Sequence, residues 1–572
     1  MGIIKRDEIR AVVLVAAGIM VVTLMPYIAA VRMTPPASEF CGFIWGVDDG
    51  NVYLSWIRQA SEGRIFLADQ YTTEAQNPHF FNLFLLIAGL FSRLTALAPI
   101  YVFHALRFAG GVFALTALYW LVSLLTQDRR IRSASLGLAA LGSGLGWVVV
   151  IFNPSGSWGL RPVDVGVNWQ VQPEAVTFVS ALLNPLFITS MGLICLTLGF
   201  SLIALERRDT RSAIIAGVCL LILGNIHSYD IFAIHLTLGL WILYGLFTRR
   251  YEMKPALWRY LTIFAIGAPA PLWSYYAASQ DPSYMAKAMT PTPAAGLADY
   301  LVGYGLLALL GLVGAVVIMA REGRQERHAK MRGQMLRFAV FWAAGNALVL
   351  LIPVSFQRKM VEGLHMPVAI LAGIGIAYLG ALITRSALKA GEVQKVNERM
   401  ALAIIAAVVF TLPSNVLFVS ECLENVRTNN EALLHVLAPP MYVDTDYKEC
   451  FRWLSVKSEF EDVALSSSLI GSHIPAHAPC RVFAGHWAET LYFGRKLGKV
   501  HRFFSGRTSP QQRASMLRSE GISYIVYGPY ERLVGQAVGE TAGPPPKDLQ
   551  QATGGAAQAV HEYGSVSVYE VK

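Results

Sequence analysis

Eleven apolar runs, each about long enough to cross a bilayer as a helix, occupy the first 420 positions and leave little else for this part of the chain to fold into. They lie at about 11–31, 102–126, 133–153, 179–205, 212–227, 230–248, 259–277, 299–320, 337–355, 366–384 and 400–419. Between them the basic residues gather in six groups: Lys5/Arg6/Arg10, Arg129/Arg130/Arg132, Arg207/Arg208/Arg211, Arg249 to Arg259, Arg321 to Arg337, and Arg385 to Arg399. These hold 23 of the 32 Lys and Arg residues in positions 1–420. All six fall on one side if the chain crosses eleven times, and the positive-inside rule makes that side the cytoplasm. The N-terminus is then inside and residues 421–572 are outside. The first run, which contains Pro26, is expected to remain as a helix rather than be cleaved.

Composition agrees with a membrane chain. Charged residues are 15% of the sequence and hydrophobic ones 54%, against about 25% charged in a soluble globular protein. A wholly soluble fold and a disordered chain are both excluded. The net charge of +9 comes entirely from residues 1–420, so it reports topology and argues against nucleic acid as a partner. Residues 80–97 are apolar enough to span, but a crossing there would put five basic clusters outside. They are read as an interfacial or re-entrant helix following a first outer loop, 32–79. The expected architecture is thus a polytopic α-helical membrane domain, 1–420, with about eleven transmembrane helices, and a soluble extracytoplasmic α/β domain, 421–572.

In that tail, strands are expected at 463–467, 481–484, 524–527 and 566–571, and a helix opening at the Ser509-Pro510-Gln511-Gln512 capping box. Residues 539–558 read as a flexible loop. Cys195 and Cys219 read as buried packing residues, whereas Cys41, Cys422, Cys450 and Cys480 face an oxidising compartment in which one or two disulfides can form.

The acidic residues of the membrane domain concentrate in its outer loops, where function is sought. Asp48 and Asp49 stand just ahead of a short amphipathic segment, Val52 to Arg64, that would lie on the membrane. Adjacent carboxylates suit a general base with a metal-binding or hydrogen-bonding partner; Asp before a helix is also an ordinary N-cap. Phe356 to His365 sets Arg358 and Lys359 on the outer side to clamp an anion such as phosphate, with Glu362 and His365 a turn further on; the same residues would serve as a headgroup anchor. The turn His227-Ser228-Tyr229-Asp230 suits sugar or metal binding, or helix capping. Trp169 offers a ring for a sugar face or for the interfacial aromatic belt. In the tail, His486 and Glu489 would reach an acceptor or form a packed loop. No cofactor is demanded, although Asp48, Asp49, His227 and Asp230, with Asp49 and Asp230 as the principal ligands, would suit Mg²⁺ or Mn²⁺.

The stretch DDGNVYLSWIRQASEGRIFLADQY, followed by NPHFFNLFLLIAGLFSRL and HALRFAGGVFALTALYWLV, resembles the GT-C-fold glycosyltransferases, in particular the protein mannosyltransferase and aminoarabinose transferase branch. The likeness extends to the inside N-terminus and long first outer loop. It implies an enzyme that moves a sugar from a polyprenyl-phosphate carrier to a glycan, lipid or protein acceptor on the outer face of the cell membrane. It also implies that the first-loop acid, Asp48 or Asp49, is the catalytic base. Two other classes stay open. A transporter or flippase would ordinarily show related halves and mid-membrane ionisable residues; no repeat is visible. A non-catalytic assembly protein would use its tail to bind a partner.

Overall fold

The computed structural model describes residues 5–153, 172–320, 327–384, 392–431, 438–536 and 545–572. The chain divides into two compact units. The first comprises Met1–Met25, His104–Ser274 and Pro291–Glu421; the second comprises Pro26–Phe103, Tyr275–Thr290 and Cys422–Lys572.

The first unit is helical. All eleven apolar runs form helix, but the expected count of eleven spans is corrected. Seven described helices are long and apolar enough to cross a membrane, or eight if a bent pair forms one span. Backbone breaks divide two of the runs, and short length or low hydropathy removes two more. The run at 133–153 divides into Arg129–Leu141 and Gly146–Phe152, bent by 45°. The run at 259–277 divides where Pro269, which has no N–H to donate, opens a new helix. Thr210–Ile226 has only 17 residues. Arg327–Val349 begins in basic sequence and falls short in hydropathy.

The second unit is built on a five-stranded mixed sheet in the order β4-β3-β5-β7-β6. Its strands are β3 (Val463–Leu465), β4 (Arg481–Val482), β5 (Tyr524–Tyr527), β6 (Ala557–Tyr563) and β7 (Val566–Val571). The pairs β3/β4 and β3/β5 are parallel, whereas β5/β7 and β6/β7 are antiparallel. The apolar strand YIVY is buried on both faces. Tyr524 and Val526 enter one core with Tyr447, Phe451 and Val482; Ile525 and Tyr527 enter the other with Phe483, Phe503 and Phe504. The capping box at Ser509 forms, with Pro510 at the first helical position.

Two readings of the tail change. Residues 537–544 lie outside the described residues; the rest of the stretch read as a flexible loop carries the turn Leu549–Ala552 and the start of β6. All six cysteines are buried, and Cys41, Cys195, Cys219, Cys450 and Cys480 are free thiols. Cys450 and Cys480 pack in the same sheet core as Val482, where they act as small apolar side chains.

The first loop belongs to this sheet-containing unit. Its strand β1 (Ser38–Phe40) pairs antiparallel with β2 (Tyr442–Asp444), from Ser38 opposite Asp444 to Phe40 opposite Tyr442. The helix Val47–Ser61 then crosses Leu83–Thr95 so closely that a Cβ on Gly89 would lie 2.3 Å from that of Ala60, which explains a glycine inside a helix. Leu83–Thr95 is the helix expected at 80–97. Its 13 residues rise only about 20 Å, short of the roughly 30 Å hydrocarbon layer.

The helix Val47–Ser61 differs from expectation, because its polar face is buried as well as its apolar one. Asn51, Ser55, Arg58 and Gln59 are covered, since each finds a partner. Ser55 Oγ donates to Gln70 Oε1 at 2.9 Å, Arg58 Nε to the Pro475 carbonyl at 3.2 Å, and Asn51 Nδ2 lies 3.1 Å from His473 Nδ1. It is an integral helix of the unit, not a surface float.

Candidate functional site

Two clusters of histidine and carboxylate groups stand out among the described residues, one in each unit.

The first begins at Gly46, whose left-handed backbone (φ 58°) turns the chain into the helix Val47–Ser61 and occupies its N-cap. Asp48 and Asp49 therefore stand inside the first turn, where the helix dipole favours negative charge. The Asp48 side chain is 23% exposed and that of Asp49 65%. The tail supplies His486, which is buried. Its Nε2 lies 3.2 Å from Asp49 Oδ1 and 3.6 Å from Asp48 Oδ2. Its Nδ1 accepts the backbone N–H groups of Ala488 and Glu489, at 3.0 and 3.1 Å. That pair of bonds fixes the tautomer: Nε2 carries the hydrogen and points it at the acids. Burial lowers the pKa of His486, but the Asp49 hydrogen bond and the charges of both aspartates raise it to about 9, whereas the two N–H groups donated to Nδ1 require the neutral ring in this geometry. A second proton would have to sit on Nδ1 and displace the two backbone donors, which links the charge on His486 to the shape of the 486–489 turn. Burial and the neighbouring Asp49 charge raise the pKa of Asp48 above the usual aspartate range.

Two charged residues that sequence reasoning missed adjoin this cluster. Lys287 pairs with Glu489 and sits 5.1 Å from the centre of the Trp56 ring. Asp69 is pushed up to about 7, by burial first and then by the negative charge of Glu489. A lone lysine, on the short helix Pro282–Ala288, and a lone aspartate carry no spacing signal, so only the fold reveals them.

The second cluster lies in the membrane unit. His227 Nδ1 is 3.0 Å from Asp230 Oδ1 and 3.1 Å from Glu362 Oε2. All three residues are buried, Glu362 and Asp230 almost completely. Neither approach has hydrogen-bond geometry, and His227 Nδ1 and all four carboxylate oxygens are without hydrogen-bond partners among the described residues. Glu174, also buried, adds another unsatisfied oxygen. Uncompensated buried carboxylates are costly, and one ligand atom from each of His227, Asp230 and Glu362 lies within 4.8 Å of the others. This buried His/Asp/Glu triad could bind a metal.

Around the triad the structure gathers several of the expected residues. Tyr229 packs edge-on to His227 with ring centres 5.4 Å apart, and Lys359 Nζ sits 4.9 Å from the centre of the Tyr229 ring. Arg358 and Lys359, both half-buried, lie on the short helix Gln357–Val361 that leads to Glu362. His365 turns elsewhere: its Nδ1 is 3.0 Å from the Thr177 hydroxyl. Trp169 lies outside the described residues. The expected joint set of Asp48, Asp49, His227 and Asp230 is distributed between the two clusters, each with its own additional partner, His486 or Glu362.

No family model matches the chain, and no curated protein matches it in sequence. Solved structures do. The oligosaccharyltransferase of Archaeoglobus fulgidus in its apo form matches with a TM-score of 0.56 at 11% identity, over 92% of this chain and 70% of that one. The oligosaccharyltransferase AglB of the same organism, in complex with an inhibitory peptide and a dolichol-phosphate, matches with a TM-score of 0.51 at 11% identity, over 90% and 69%. ArnT from Cupriavidus metallidurans bound to undecaprenyl phosphate aligns over 96% of this chain and 97% of that one, at 12% identity and a TM-score of 0.48. On the strength of the archaeal pair, the chain is a multi-pass membrane protein with the GT-C-like fold of membrane glycosyltransferases.

Proposed function

We propose that this protein is a membrane glycosyltransferase that takes a sugar from a polyprenyl-phosphate-linked donor and passes it to an acceptor on the extracytoplasmic face. The observation that carries the reading is the acid pair of the first loop, held against a buried tail histidine, in a chain with a GT-C-like fold. Asp48 is the general base. Partial burial and the adjacent Asp49 raise its proton affinity, which suits a carboxylate that must take a proton near neutral pH. Asp49 holds His486 Nε2 and, through it, the turn that carries Glu489.

In this reaction the acceptor hydroxyl loses its proton to Asp48 as its oxygen attacks the anomeric carbon. The bond from that carbon to the phosphate oxygen breaks with inversion, and the lipid phosphate leaves with the bonding electrons. Arg358 and Lys359 are assigned to its negative charge. The orientation that places the tail outside is part of the same proposal.

The triad His227/Asp230/Glu362 is proposed to hold a divalent cation. One nitrogen and several oxygen ligands suit Mn²⁺ or Zn²⁺ better than Mg²⁺, which prefers oxygen and retained water. A cation there would neutralise the buried carboxylates and fix the loop carrying Arg358 and Lys359. The deciding experiment uses purified protein in lipid nanodiscs with a panel of polyprenyl-phosphate sugars, donor consumption being followed by mass spectrometry. Consumption by wild type and its loss in Asp48→Asn is expected. A panel left untouched with an acceptor mixture present, or full turnover by Asp48→Asn, would overturn the reading.

A further inference from the structure

The 485–490 turn carries a side chain that the proposed transfer does not use. Trp487 is 56% exposed, although it adjoins a histidine that is 1% exposed. Its indole stacks on the His486 ring, with ring centres 5.9 Å apart and planes 22° from parallel. His486 is itself anchored by Asp49 and by two backbone N–H groups. The indole is therefore held by an immobilised support and remains open. Two residues on, Glu489 is 7% exposed. One of its oxygens is paired with Lys287 and the other, Oε2, is buried without a hydrogen-bond partner among the described residues.

These features call for a ligand of a particular kind. A pyranose has a face of C–H groups that packs on the negative face of an indole, and a rim of hydroxyls that donate to carboxylates. A carboxylate oxygen buried without a donor requires a partner that brings one. The surrounding charge narrows the choice. Around this turn the carboxylates of Asp48, Asp49, Asp69 and Glu489 outnumber the cations: Lys287 pairs with Glu489, and Lys496, which also acts on Asp69, is itself paired with Glu74, so a ligand bearing phosphate or sulfate is opposed.

We propose that the 485–490 turn is a carbohydrate subsite: Trp487 stacks on an uncharged sugar ring whose hydroxyls donate to Asp49 and Glu489. The acceptor of the transfer is then a neutral glycan. The assignment of this sugar as acceptor rests on the glycosyltransferase reading; sugar binding at the turn does not.

The test uses the full chain in phosphatidylcholine nanodiscs and biolayer interferometry. The probes are cellohexaose, mannohexaose, mannohexaose 6-phosphate and an uncharged hexapeptide. A neutral hexaose is expected to bind, and to bind about tenfold more tightly than its phosphorylated form at low salt. Trp487→Ala should weaken binding by about tenfold, while Trp487→Phe, which keeps a ring, stays within about threefold of wild type. The thermal midpoint of each variant, expected to match wild type because the ring is open, separates lost binding from lost fold. Equal binding by Trp487→Ala, preference for the phosphorylated sugar, or binding of the peptide and neither neutral hexaose would overturn the proposal. Asp48→Asn tells the two readings apart: it should lose donor consumption and keep sugar binding. A wild type that consumes no donor while binding the hexaose sinks the transferase and leaves the subsite standing.

Discussion

The two clusters use nearly the same functional groups in opposite surroundings. Around His486 the acids are within reach of water, Asp49 most of all, and the histidine is fully engaged through both ring nitrogens. Around His227 the acids are sealed off and lack hydrogen bonds to share between them. A carboxylate at a solvent edge can exchange protons with a substrate and be reset; a group of sealed carboxylates calls for a permanent countercharge. On the proposed reading, placement more than residue type separates a reacting centre from a holding one.

The largest effect should come from the open cluster. Replacing Asp48 with Asn removes the proposed base and is expected to lower turnover by about 100- to 10,000-fold with the thermal midpoint nearly unchanged; donor consumption and a melting scan check both halves. Second is the cation pair beside the sealed cluster. Arg358→Ala should lower turnover by about 100-fold while sparing binding of the acceptor. A third experiment asks which cluster holds metal. EDTA should lower the wild-type melting temperature by several degrees, leave that response intact in Asp49→Asn, and abolish it in Glu362→Gln. The reverse pattern would exchange the two assignments.

The smallest effect carries a sign. Asp69 is pushed up to about 7 in the folded protein, from an ordinary value of 3.8, so the native state is penalised once the group must ionise. Stability associated with protonated Asp69 is present below about pH 4 and is lost as pH rises through 7. Asp69→Asn keeps the acceptor for the Tyr71 N–H and removes the charge. It should therefore be more stable than wild type at pH 8, by about 1 kcal/mol given the partial exposure of the site, and equal to it at pH 4.

Much of this was legible from the residues. Every apolar run marked by hydropathy is helical, but the count of spans was too high: breaks at Gly142 to Leu145 and at Pro269 divide two runs, Thr210–Ile226 is too short and Arg327–Val349 too weakly apolar. Binary pattern identified four of the five strands in the sheet; β6 escaped because AQAVHEY mixes small, charged and apolar residues without a clean alternation. Asp48 and Asp49 were visible as a pair, and His486 and Glu489 as a turn. Nothing in one chain indicates that residues 437 positions apart will meet. His227 and Asp230 are neighbours by spacing, whereas Glu362 joins them only through the fold.

The pairing of β1 with β2 has a consequence for the order in which the protein is made. The first loop leaves the ribosome early, but the strand it pairs with and the histidine that faces its acids come from the far end of the chain. At about 5–20 residues per second, roughly twenty to ninety seconds separate the synthesis of Asp49 from that of His486. All the candidate spans but the first are themselves made within that interval, while the acid pair stands without its ring. The stretch that carries His486 thus completes a cluster whose acids are made long before it.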